Sequence, residues 1–359
     1  MIEWILTSSV LILVVLILRA VLRERISLGL RYALWGIVLI RLLVPFSFSD
    51  SAISVTGLAR QPIAQIETIV NEPIRSDAYD AAIEEVTAQF FSQQVDPSAL
   101  SQEELDAAIR QNVYDQVTSE QAHNPAPLTP DQIEAEVDSR MDGMYTIDPV
   151  RILTVFWLAG AAVMCAVFLW SNARLALNLK RTREKLSIDH PLPVYMTDYV
   201  ATPCLFGLFR SAIYLPREAA ESPHMDHILA HEATHHRQGD HIWSALRCAA
   251  LALHWYNPLV WIAASASKKD AELACDEATI ARLGESQRTA YGETLISMTC
   301  ARRDHKDLFL TATTMNTGKR TLKERVTMIA KHPKTAVYTL ILLIAVMLIA
   351  VGCTFTGPG

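Results

Sequence analysis

A chain of 359 residues with 51% hydrophobic residues, only 19% charged residues and a formal net charge of −6 is too apolar for an ordinary soluble enzyme. It also lacks the basic excess of a nucleic-acid binder, so direct nucleic-acid binding is not expected. Six cysteines, at 165, 204, 248, 275, 300 and 353, form no close pair, which excludes a disulfide framework.

The first apolar run, Trp4 to Leu18 continued by Ala20, Val21 and Leu22, predicts a membrane span over 1–22. Glu3 precedes it and Arg19, Arg23 and Arg25 follow, the reverse of a cleaved leader. A second run predicts a span over 29–48. Arg41 inside it must snorkel or face a partner helix, because a mid-bilayer arginine costs about 2.5–3.5 kcal/mol. Runs over 150–171 and 335–352 predict the third and fourth spans, since a hydrocarbon core of about 30 Å needs about 20 residues. Arg19, Arg23, Arg25 and Arg31, then Arg174, Lys180, Arg181, Arg183 and Lys185, then Lys331 and Lys334 all fall on one side. The positive-inside rule makes that side the cytoplasm, which leaves the N-terminus and a short tail, 353–359, outside.

Between the second and third spans, the loop 49–149 reverses the character of the chain. Residues 50–148 hold nineteen acidic side chains against Arg60, Arg75, Arg110 and Arg140, with no lysine and no cysteine. Amphipathic helices are predicted in "DAAIEEVTAQFF" and in "PSALSQEELDAAIRQNVYDQV", where Leu100, Leu105, Ile109 and Val113 form a stripe. A third is predicted after Thr129-Pro130. The loop reads either as an extracytoplasmic helical sensor for an unknown stimulus or as a solvated acidic spacer.

The segment 172–333 carries the chemistry. "LPVYMTD" and "LFGLFRSAIYLP" predict strands, with 204–215 either a candidate edge for pairing with an extended substrate or an ordinary core strand. The centre is His231-Glu232-Ala233-Thr234-His235. Histidines four apart share one helix face, so both imidazoles reach one metal ion with Glu232 beside them, the pattern of a hydrolytic zinc site with a glutamate base. The alternative is a helix with solvent-facing histidines. Ser222-Pro223 predicts the helix start and Gly239 its end. The apolar stretch 242–264 predicts a helical hairpin broken near Asn257-Pro258, because a fifth span there would put the two halves of a zinc site on opposite sides of the bilayer. His254 within it reads as a satisfied core histidine. Downstream, Glu272 and Asp276 share a face four residues apart: a metal ligand and the orienter of a ligand histidine, or merely an acidic helix face. Cys275 between them reads as a buried structural thiol in preference to a soft ligand.

"TPCLFGLFRSAIYLP" (202–216), "HILAHEATHHRQGDHIW" (227–243), "LHWYNPLVW" (253–261), "KKDAELACDEATI" (268–280) and "LKERVTMI" (322–329) in this order resemble the integral-membrane metallopeptidases of the BlaR–MecR antirepressor family. The resemblance covers about 1–47 and 150–352. It implies a multi-span helical membrane protein with a cytoplasmic α+β gluzincin domain over 172–333, in a bacterial plasma membrane. It implies zinc held by His231, His235 and Glu272, Glu232 as catalytic base, and Asp276 behind the ligands. It also implies a signal that crosses the lipid bilayer and triggers cleavage of a winged-helix transcriptional repressor and of the protein itself, with a homodimer among the expected states. The best-known members carry a penicillin-binding domain after the last span, where this chain has only Cys353 to Gly359, so an antibiotic trigger is not expected. Two other readings stand beside it: a constitutive quality-control protease of the membrane, and a non-proteolytic signalling receptor.

Overall fold

The computed structural model of the chain describes residues 2–44, 49–51, 86, 102–121, 128–144, 149–299, 313–314, 319–331, 333 and 335–358. These residues are mostly helical with a small mixed sheet. In chain order they form α1 (Ile2–Val21), α2 (Leu28–Leu43), β1 (Ser49–Ser51), α3 (Gln102–Gln121), α4 (Pro130–Met144) and α5 (Pro149–Thr182). Then come β2 (Glu184–Lys185), β3 (Val194–Met196), β4 (Cys204–Phe206), β5 (Ala212–Leu215), α6 (Arg217–Ala220), α7 (Met225–Gln238), α8 (Asp240–Leu253) and α9 (Pro258–Leu283). The chain ends with α10 (Arg288–Thr299), β6 (Thr313–Thr314), α11 (Lys319–Lys331), α12 (Val337–Phe355) and β7 (Thr356–Pro358). Two compact units result, 64–158 on one side and 1–63 with 159–359 on the other.

In the smaller unit α3 and α4 pack through Val86, Ile109, Val113, Val117, Val137 and Met141. Of the predicted stripe, Ile109 and Val113 are therefore buried, while Leu100 and the side chain of Leu105 lie outside what is described. The helix expected in "DAAIEEVTAQFF" also lies outside them except for Val86. Ion pairs Arg140–Glu120 (2.9 Å) and Arg110–Asp138 (2.5 Å) join the two helices at their exposed faces. Such pairs contribute about 0–1 kcal/mol each, so the apolar seam holds the helices together.

Among the described residues, three helices are long and apolar enough to cross a membrane: Trp4–Val21, Ile152–Thr182 and Val337–Thr354. Their flanks expose large apolar side chains such as Ile17, Phe156, Leu169, Trp170, Ile341 and Leu348, the surface expected against lipid. The second expected span is a shorter helix: α2 has 16 residues, or about 24 Å at 1.5 Å per residue, and 45–48 lie outside the described residues. Arg41 does not snorkel. It is 3% exposed and ties α2 to its neighbours, donating to the Thr354 carbonyl (3.1 Å), the Val44 carbonyl (3.0 Å) and the Thr7 hydroxyl (2.6 Å). Beyond the membrane-like helices β1 and β7 pair in parallel, joining the segment after α2 to the segment after α12.

The sheet runs β2-β3-β5-β4-β6, with β3 and β5 parallel and the remaining pairs antiparallel. Gly207 (φ 118°) makes the tight return from β4 towards β5; a side chain there would run into the Arg210 carbonyl. This topology corrects the expectation that 204–215 offers a free edge. β5 is interior, and β4 is covered by Thr313–Thr314 of the chain itself.

The sheet packs on α7, α9, α10 and α11 through Leu205, Ile213, Leu215, Ile228, Ile280, Tyr291, Leu295 and Ile329. A second apolar core joins α1, α2, α8, α9 and α12 around Leu11, Val15, Trp35, Val38, Leu251, Ala263 and Leu343. α9 is thus shared between the membrane-like helices and the sheet layer. The break between α8 and α9 falls at Asn257-Pro258, where the Asn257 side chain accepts from Leu259 N and Pro258 takes the first helical position. His254 is fully buried and bonded to the Leu42 carbonyl at 2.9 Å, as a satisfied core histidine should be.

Candidate metal centre

α7 begins at Met225, two residues later than the Ser222-Pro223 signal suggests. Ser222 instead accepts from His224 N at 3.1 Å within the preceding turn. Asp226 sits in the first turn, and Gly239 ends the helix in the left-handed conformation (φ 70°). The same glycine precedes α8, so Asp240 emerges directly beneath the last turn of α7.

His231 and His235 point inward, 0% and 1% exposed, with their Nε2 atoms 3.1 Å apart. Glu272 on α9 faces both, its Oε2 3.7 Å from His231 Nε2 and its Oε1 3.7 Å from His235 Nε2. Tetrahedral ligands at zinc–nitrogen distances of 2.0–2.1 Å lie about 3.4 Å apart, so the three groups match a zinc site to within a few tenths of an ångström. Cys275 also belongs here: His231, His235 and Cys275 offer ligand atoms within 4.8 Å of one another. Its Sγ, however, lies closer to His231 Nδ1 (3.5 Å) than to Nε2 (4.0 Å), and the thiol reaches the His231 carbonyl at 3.4 Å. Glu272, with one oxygen toward each Nε2, is the better placed third donor.

The outer nitrogens explain why the inner ones are available. His235 Nδ1 donates to Asp240 Oδ2 at 2.6 Å, and Asp240 Oδ1 in turn accepts from the Tyr32 hydroxyl at 2.7 Å. Tyr291 donates to Asp276 Oδ1 at 2.7 Å, so its oxygen accepts from His231 Nδ1 at 2.7 Å. Both imidazoles therefore carry hydrogen on Nδ1 and turn Nε2 toward one point, where its lone pair is available once the proton there is lost. Asp276 lies 3.5 Å from His231 Nδ1 and acts mainly through Tyr291. It also accepts from Arg325 Nε (2.7 Å) and Nη2 (2.6 Å), while Arg325 Nη1 lies 3.2 Å from Glu272 Oε2.

Glu232 is fully buried, and neither carboxylate oxygen has a hydrogen-bond partner among the described residues. Burial raises its pKa above the usual carboxylate value, with the two imidazoles pulling the other way. Burial also opposes ionisation of Glu272, but Arg325 and the imidazoles outweigh it and hold the pKa at about 2. For His231 burial works downward, yet Cys275 and Glu272 raise it to about 9. A carboxylate fixed in its charged form beside an imidazole pair that retains a proton is a site ready to exchange that proton for a cation.

All five residues expected from sequence, His231, Glu232, His235, Glu272 and Asp276, are brought together. Asp240, Tyr291 and Arg325 were missed. Asp240 had a signal, an acid five residues beyond His235 across a helix-ending glycine, and Arg325 lies in "LKERVTMI". Tyr291 had none, because only the packing of α10 on α7 brings it near. The model of the family described as BlaR1 peptidase M56 matches residues 1–329. The chain belongs to the BlaR1 peptidase M56 family. Among curated M56 relatives, the regulatory protein BlaR1 of Bacillus licheniformis is 26% identical over 187 residues, which is 47% of this chain and 31% of that protein. The methicillin resistance mecR1 protein of Staphylococcus aureus is 27% identical over 109 residues, 30% of this chain and 19% of that protein, and that of Staphylococcus epidermidis matches to the same extent. The match thus spans a third or less of each curated relative.

Proposed function

We propose that this M56 chain is a membrane zinc endopeptidase of the BlaR/MecR antirepressor type. In this reading a signal received by the loop 49–149 leads to cleavage of a winged-helix repressor in the cytoplasm, and of the chain itself. Four spans, 1–22, 29–48, 150–171 and 335–352, hold the gluzincin domain 172–333 on the cytoplasmic face of a bacterial membrane. The observation that carries the reading is the convergence of His231, His235 and Glu272 beside the buried, unpartnered Glu232.

His231, His235 and Glu272 would hold zinc, an N/N/O set suited to that ion. Bound zinc supplies a Lewis acid and lowers the pKa of water from about 15.7 towards 7. Glu232 takes the proton of the attacking water and returns it to the leaving amine, a role that needs the unpartnered carboxylate found here. Asp240 and Tyr291 keep both imidazoles in the metal-binding tautomer.

The decisive experiment is cleavage in reconstituted membranes, wild type against Glu232→Gln, with zinc quantified and fragments identified by mass spectrometry. A defined cut in a repressor or in the chain, present in wild type and absent from the variant, supports the proposal. Equal cleavage by both refutes the role of Glu232, and broad degradation of unfolded chains would favour quality control.

A further inference from the structure

Two adjacent residues of α11 reach different parts of the molecule. Glu324 pairs with Arg23 at 3.2 Å and lies 3.7 Å from Arg31, both near the turn between α1 and α2. Arg325, 1% exposed, clasps Asp276 with two nitrogens and sets the third 3.2 Å from Glu272 Oε2. Other residues at this end of the molecule join α11 to the same turn. Lys331 bonds Glu24 at 2.6 Å, and Met328 packs on Leu28 of α2 and Leu273 of α9. Just beyond the helix, the Thr335 hydroxyl accepts from Ser27 N at 2.8 Å.

We infer that Arg325 is a positioning residue for the carboxylate of Glu272, and that α11 conveys the placement of the α1–α2 turn to the metal centre. This rests on reading Glu272 as the third ligand. A guanidinium is a planar fork of five donors. With Nε and Nη2 committed to Asp276, the guanidinium is held in place, and its Nη1 stands at ion-pair distance, 3.2 Å, from the Glu272 oxygen that faces His231. Asp276 in turn holds the Tyr291 hydroxyl that receives His231 Nδ1–H. One side chain therefore constrains two of the three candidate ligands. It stands on a helix that Glu324 and Lys331 anchor at the junction of the first two expected spans, so a shift of that junction reaches Glu272 through Arg325. A packed interior transmits such a displacement without absorbing it.

The test measures zinc affinity of the full-length protein in detergent or nanodiscs by competition with a chromogenic chelator, with thermal unfolding recorded in parallel. Arg325→Met should weaken zinc binding about 10- to 100-fold, and Arg325→Lys should fail to restore it, because an ammonium cannot span both carboxylates. Glu324→Gln, which touches no candidate ligand, should weaken zinc binding several-fold alone and add nothing in the Arg325→Met background. Zinc affinity of Arg325→Met within twofold of wild type overturns the inference, as does an equal effect of Glu324→Gln in both backgrounds. If Arg325→Met fails to fold, Arg325→Lys and Glu324→Gln are still read against wild type, and unchanged affinity in both overturns it. His235→Ala checks the underlying reading separately: unchanged zinc binding there would refute the metal centre itself, whatever Arg325 does.

Discussion

Glu232 shows how a single residue can be recognisable in type from sequence but not in state. The spacing of His231, Glu232 and His235 places a glutamate beside two imidazoles; only the packed structure leaves both its oxygens buried and without a hydrogen-bond partner among the described residues. Glu232→Gln should keep the metal and lose about 10²- to 10⁴-fold in cleavage rate, as read by single-turnover proteolysis with zinc analysis. His231 makes a pH prediction. Its metal-free pKa of about 9 means that it is protonated at neutral pH and must lose the proton to bind zinc. Zinc affinity should therefore rise with pH through the neutral range and up to about 9, the more so because His235 is also held well above the usual imidazole value, and calorimetry in buffers of different ionisation heat should detect the released protons. A pH-independent affinity between 6 and 9 would contradict this. Asp240→Asn should cost about 10- to 100-fold in zinc affinity, because the amide disturbs the tautomer of His235. The readings of Cys275 and Asp276 were incomplete for one reason: a helix face can be inferred from spacing, but which neighbour fills the gap between two helices cannot.

At the scale of elements, local signals were strong where chain chemistry alone decides the outcome. Gly239, Asn257-Pro258 and Thr129-Pro130 end or start helices where expected, since backbone conformation and capping are local. Gly239→Ala is a clean test: nothing lies within 4 Å of an added β-carbon, so only left-handed backbone strain is introduced. A loss of about 1 kcal/mol, measured by unfolding in detergent, is expected. The edge strand was misjudged because the partner of β4 comes from residues more than 100 positions away. Arg41 was ambiguous for the same reason, since its acceptors include carbonyls of α2's own end and of α12.

For the whole molecule, the distribution of arginine and lysine predicts an orientation that labelling can check. In intact cells a membrane-impermeant maleimide should reach Cys353, while a cysteine introduced at Lys185 should react only after permeabilisation; the opposite pattern would reverse the orientation. The two cores meet at α9, which carries Trp261 and Ala264 toward the membrane-like helices and Glu272 toward the metal centre. Asp270, two residues before Glu272, pairs with Arg31 of α2 and accepts from Arg19 of α1 at 2.7 Å and from Trp35 of α2 at 2.8 Å. The helix that supplies a candidate ligand is therefore bonded to the first two expected spans.

The amino-acid sequence alone determined the apolar runs, the helix that carries His231 and His235, and the acidic face that carries Glu272 and Asp276. These depend on composition and on a period of 3.6 residues, both of which are properties of short stretches. Tertiary structure alone decided that Glu272 has an oxygen for each imidazole, that Tyr291 stands between Asp276 and His231, and that Arg325 reaches both acids. Those relations join residues up to 60 positions apart, and no local period records which distant side chains will meet once the core has closed.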